Sequence, residues 1–149
     1  MSLFDDIFKG VQGSMGKEEA FFAVLAVAMF IDGKVAPEEQ EELAALAHRT
    51  KTLKASGDEQ IRKWMIDWKD ELEDKTKIKN LIANAVSSLS REPKEMRMSV
   101  FLHACDIVFA DRVINVQEQE YLRDLIKKFE LEENEAAVNM RALKIKNDF

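Results

Sequence analysis

The chain has little of what most protein chemistry requires. Of its 149 residues one is cysteine, Cys105, and two are histidine, His48 and His103. A single thiol excludes an internal disulfide framework and any multi-cysteine zinc site, and it suits a reducing compartment. With two histidines far apart and no glycine-rich phosphate loop, no catalytic set is apparent and an enzyme is not expected. Basic charge is also scarce: 22 Lys and Arg stand against 28 Asp and Glu, for a net charge of −6. That balance excludes non-specific nucleic-acid binding, which needs clustered cations to displace the counterions of phosphate, and it favours cations or basic partners. No apolar run is long enough to cross a bilayer. The stretch from Ala20 to Ile31 lies between Glu18, Glu19 and Asp32 and reads as a buried helix. No secretory signal peptide is evident, so a cytoplasmic location is expected.

Two prolines and five glycines leave few places to stop a helix. Val/Ile alternation is sparse, and Ala, Leu, Glu, Lys and Met dominate, which predicts an all-α fold. The length suits one domain able to bury its own core. Apolar residues recur at helical spacing in Ile61, Trp64, Met65, Trp68 and Leu72, and again in Ile78, Leu81, Ile82, Ala85, Val86 and Leu89. Pro37 and Pro93 mark helix starts, where a missing N–H costs nothing. Breaks at the Gly33 loop, Ala55 to Gly57, Glu73 to Lys75, Ser90 to Glu92, Arg112 to Asn115 and near Leu131 give about seven helices plus a short N-terminal one. Residues 1–16 stand apart as a leader and tether, with an apolar stripe of Leu3, Phe4, Ile7, Phe8 and Val11 followed by Gly10, Gly13 and Gly16. The stripe either folds back on the bundle or docks on a membrane surface or partner. Residues 17–149 form the expected helical domain.

What the chain does have is an acidic unit written twice. The segment from Ile31, IDGKVAPEEQEELAAL, returns at Ala110 as ADRVINVQEQEYLRDL. Without a gap, Asp32 falls on Asp111, Glu39 on Glu118, Leu43 on Leu122 and Leu46 on Leu125. Two copies in one small domain are expected to pack about a pseudo-twofold axis, which would let the acids converge. Asp32 and Asp111 each follow an apolar helix, where a carboxylate faces the negative end of the helix dipole at a cost of roughly 0.3–1 kcal/mol. Asp-Gly turn chemistry explains Asp32 but not Asp111, which is followed by Arg112. Glu39 and Glu118 fall in first turns, where acids are stabilising anyway, and Asn115 with Glu118 fits a capping box. Ala36, the equivalent of Asn115, has no oxygen to reciprocate.

Neither copy is a self-sufficient calcium loop of the EF-hand kind, because the positions that need oxygen ligands hold Lys34, Ala36 and Leu43 in the first and Val113, Asn115 and Leu122 in the second. A cation site would draw carboxylates from both halves, and all-oxygen ligation would select Ca²⁺, Mg²⁺ or Mn²⁺. Asp106, within the apolar helix from Phe101 to Ala110, is either a further ligand or bonded to a neighbouring hydroxyl, backbone amide or Arg97. His103 reads as a core or boundary residue and His48 as surface. Trp64 and Trp68 read as core packing, with a docking face as the alternative.

The apolar helix running into Asp32-Gly33, then Val35, then Pro37-Glu38-Glu39, resembles the TerB-like tellurite-resistance family. The pattern recurs at Asp111, Ile114 and Glu118, and the start MSLFDDIFKG is similar to that family's amphipathic leader. The resemblance implies a compact helical domain with internal pseudo-symmetry and a metal-binding surface carried here by Asp32, Glu39, Asp111 and Glu118. It also implies protein partners in a stress-response complex near the inner membrane. Arg112 departs from the usual Asp-Gly and brings a guanidinium that can take a cation's place. The expected function is therefore a noncatalytic, acidic scaffold that binds or senses a divalent cation. The alternatives are a metal-free interaction module and a carboxylate-metal hydrolase.

Overall fold

The structure, a computed structural model, describes residues 15–31, 36–110 and 114–149. The leader stripe, Asp32 with Gly33 and Val35, and Asp111 with Arg112 lie outside the described residues. Among the described residues there are eight helices and no strand: α1 (Lys17–Phe30), α2 (Pro37–Arg49), α3 (Lys51–Lys54), α4 (Gly57–Glu73), α5 (Lys77–Leu89), α6 (Lys94–Ala110), α7 (Val116–Lys128) and α8 (Glu133–Asp148). The expected all-α bundle is what the chain forms.

Helix α1 organises it. Glu18 and Glu19 occupy its first turn, at the positive end of the dipole, and every residue from Ala20 to Ala28, with Phe30, is buried. A helix that is apolar on all sides must be enclosed. Helices α5 and α6 pack on it most extensively, and α2, α3 and α4 complete the wall. Helices α4 and α5 have one apolar face each. Ile61, Met65, Trp68 and Leu72 are buried on α4, while Ile66 on its outer side is 75% exposed. Phe22 of α1 meets both tryptophans of α4, at centroid distances of 6.0 Å to Trp64 and 5.9 Å to Trp68, and the two indoles stack with an interplanar angle of 8°. Their i, i+4 spacing serves the core. From α7, the buried Tyr121 hydroxyl donates to the Val24 carbonyl at 2.7 Å, and burial holds this phenol well above its ordinary pKa.

One helix break was not expected. The chain from Pro37 to Lys54 divides at Thr50, whose backbone is extended (φ −88°, ψ 123°). The Thr50 hydroxyl donates to the Leu46 carbonyl at 3.0 Å, a bond that offers the backbone an alternative to the helical ladder. The next turn begins at Gly57 with φ 79°, a left-handed conformation that glycine adopts without cost. Helix α7 closes on Glu130, φ 54°, with the Leu131 N–H returning to the Ile126 carbonyl at 3.0 Å. Arg97 of α6 donates from Nη1 to the Phe129 carbonyl and from Nε to that of Glu92, tying the end of α7 to the start of α6.

Helix α8 lies along α6 and runs in the same direction. Lys94 pairs with Glu135 at 2.7 Å near their starts, and the Asn147 amide donates to Asp106 at 3.0 Å near their ends.

Phe22→Ala is expected to cost about 3–5 kcal/mol, the lost transfer energy plus the cavity left against Trp64 and Trp68. Tyr121→Phe should cost only ~0.5–1.5 kcal/mol, since Val24 keeps its helical hydrogen bond. Urea unfolding followed by circular dichroism measures both, and a Phe22→Ala loss no larger than that of Tyr121→Phe would contradict this account of the core.

Candidate functional site

The acidic residues flank two helix-to-helix junctions, from α1 to α2 and from α6 to α7. The helices after the junctions keep the sequence register, since Pro37 corresponds to Val116 and Arg49 to Lys128 at the same spacing. Their starts are built differently. At α7, Asn115 accepts from the Glu118 N–H at 2.8 Å while Glu118 accepts from the Asn115 N–H at 3.1 Å, a complete capping box. At α2, Ala36 makes no side-chain cap bond, and the start relies on Pro37 with Glu38 and Glu39 in the first turn. Glu39 and Glu118 are both half-buried.

The helices before the junctions end side by side. A cleft of about 320 Å³ is lined by Met29 of α1, by Asp106, Phe109 and Ala110 of α6, by Glu42 and Arg49 of α2, and by Asn147 of α8. It gathers the carboxylates of Asp106 and Glu42 with one guanidinium. The partner of Asp106 is one that was not expected, the side-chain amide of Asn147, while Arg97 is engaged by the Glu92 and Phe129 carbonyls. Neither Asn147 nor Glu42 was among the expected site residues. Glu42 sits one helical turn after Glu39, a spacing visible in sequence, whereas Asn147 reaches Asp106 only through the docking of α8. Among the described residues, no group of three or more His, Cys, Asp or Glu side chains could hold a metal ion. The other two expected ligands, Asp32 and Asp111, lie outside those residues.

A larger cleft of about 610 Å³ lies between α1, α5 and α7. Its apolar floor includes Val27, Ile31, Ile78 and Ile82, and its rim carries Lys75, Lys79 and Lys128 with Glu120 and Asp124.

The remaining polar candidates have ordinary surroundings. His103 is half-buried, bonds the Ser99 carbonyl through Nδ1 at 2.8 Å and stands edge-on to Phe21 at 5.3 Å. His48 is exposed and paired with Asp58. Burial, with Asp106 adjacent, pushes the Cys105 thiol up to about 12. Glu19, in the first turn of α1, is an acid whose setting only the fold reveals. Partial burial, reinforced by Asp67 and opposed by Lys63, raises its pKa.

Taken with the fold, these features define an all-helical acidic domain wrapped round one apolar helix, with acidic junctions at two helix ends. Residues 18–141 match the family described as Tellurite resistance protein TerB, and the chain belongs to that family. No curated protein and no solved structure matches it. No helix among the described residues is long and apolar enough to cross a membrane.

Asn115→Ala should destabilise the domain by ~1 kcal/mol through loss of the cap. Ala36→Asn is expected to stabilise α2 by a few tenths to about 1 kcal/mol by giving it the capping oxygen that α7 already has. Denaturant midpoints measure both, and equal midpoints for Asn115→Ala and the parent chain would remove the cap from the account.

Proposed function

We propose that this TerB-family chain is a noncatalytic scaffold that binds or senses a divalent cation and engages protein partners in a stress response. Its location would be the cytoplasm, peripheral to the inner membrane. One observation carries the reading: the ends of α1 and α6 border a common acidic cleft, and Asp32 and Asp111 follow those ends within a few residues of Met29 and Ala110. Two carboxylates about 5 Å apart repel by roughly 3 kcal/mol at an effective dielectric of 20, so acids drawn toward one place call for a counter-ion. The donor set is carboxylate throughout, with Asp32 and Asp111 from the junctions, Glu39 and Glu118 from the helix starts and Asp106 from α6. Hard Ca²⁺, Mg²⁺ or Mn²⁺ suits it, with water completing the shell.

A metal-free interaction module is the second reading. It is favoured by the structural work that two of these acids already do, Glu118 in the capping box and Asp106 against Asn147.

A thermal melt of the chelator-treated chain, alone and with each cation at matched ionic strength, separates the two. A ligand at 100 times its Kd adds ~2.7 kcal/mol, which in a domain of this size raises Tm by roughly 5–10 °C. The scaffold reading expects such a rise for one hard cation and its loss in Asp32→Asn/Asp111→Asn. It also expects a pH signature. Crowded carboxylates have raised folded pKa values, so their penalty holds at neutral pH and lifts as pH falls through that range. Absence of a cation-dependent rise, or a rise that survives in the double variant, would reject these residues as ligands.

A further inference from the structure

Helix α8 carries two apolar stripes, and the bundle uses one. Ala136 is fully buried, Met140 and Leu143 pack against the core, and Asn147 on the same side bonds Asp106. Two residues along an α-helix turn roughly 200° round the axis, to the opposite side. There lie Val138 at 68% exposure, Ala142 and Ile145 at 53%, and the same spacing leads to Phe149, the cap residue just past the end of α8, at 105%. Of the five large hydrophobic side chains exposed among the described residues, three are in this stripe. Their spacing of four, three and four is that of a coiled-coil seam, in which each apolar residue inserts between residues of a facing helix. The α6 pairings at Lys94–Glu135 and Asp106–Asn147 join α8 to α6 near both of its ends.

The charges beside the seam select the occupant. Arg141 and Asp148 flank it on one side and Lys146 on the other. A second copy running parallel would set Arg141 against Lys146. A second copy running antiparallel, with Ala142 facing Ile145, sets Arg141 against Asp148 twice, once in each direction about the twofold axis. The same register puts Val138 against Phe149 and the small Ala142 against the larger Ile145, a complementary fit of small against large. We infer that the outer face of α8 is a self-association surface on which a second copy of this chain docks with its α8 antiparallel. A seam of about two heptads is short, so the dimer is weak and concentration-dependent.

Sedimentation equilibrium of the whole chain, from about 1 µM to about 1 mM at physiological salt, tests the inference. The expected result is a reversible monomer–dimer equilibrium. Ile145→Lys should weaken it roughly tenfold or more, because a lysine there would lose its hydration on association. Both Val138 and Ile145 are exposed in the monomer, so Val138→Lys and Ile145→Lys should leave helicity and Tm unchanged. Arg141→Glu should weaken association, and the exchange Arg141→Glu/Asp148→Arg should restore it, since the pairing is only reversed in sign. Monomer mass at every concentration overturns the proposal, including the case in which residues 1–14 of the same chain cover the stripe. Dimers indifferent to Ile145→Lys overturn it as well, and failure of the charge exchange to restore association rejects the antiparallel arrangement.

Discussion

Enclosing helix α1 is the constraint on which the other elements depend. Its sequence has no polar face between Ala20 and Ile31, so the helix gains little by forming until it is covered on all sides. Helices α4, α5 and α6 each turn one apolar face to it, and α7 reaches it through Tyr121. That last contact is polar inside an apolar setting, and it fixes orientation: the hydroxyl must meet a carbonyl or lose its bond to water without replacement. The arrangement also decides where polar chemistry can gather. A helix with no polar face leaves charge to its two ends, and the acidic junction follows one of them.

Helix ends create the ambiguity at the heart of the acidic motif. The same carboxylate that stabilises a helix start is a competent cation ligand, and its position alone does not separate the two uses. Glu118 illustrates the structural use in full, because both halves of its capping box are formed. Glu39 occupies the matching position on α2, where Ala36 removes the reciprocal bond. The two helices thus start differently while each carries an acid at the third residue of its first turn. Asp106 combines the two roles differently, as an acid held by an amide within a cleft that also contains Glu42 and Arg49.

Much of this architecture is legible in the sequence because local rules and burial agree. The uniform apolar run yields α1, the turn chemistry at Gly57 and around Ser90 yields breaks, and Asn115 with Glu118 yields a cap. Trp64 and Trp68 follow the helical period and enter the core as it predicts. The break at Thr50 escaped because threonine is only mildly unfavourable in a helix, and its hydroxyl bond to Leu46 becomes decisive in place. Contacts that depend on docking were beyond local rules altogether. Asn147 and Asp106 are far apart in the chain, and only the parallel course of α6 and α8 brings them together. The two stripes of α8 are hidden in the sequence for a related reason: apolar residues on opposite sides of a helix weaken its periodic signal.

The solitary thiol has a use that follows from its place. Cys105 has no exposed surface, and its proton is held far above neutral pH, so in the closed protein it is neither accessible nor nucleophilic. A thiol reagent can react only with molecules in which the packing around Cys105 has opened. When closing outruns labelling, the labelling rate is proportional to the population of that open state. The chain therefore contains a built-in clock for the opening of its own centre, read under native conditions without denaturant and without adding a probe to the sequence.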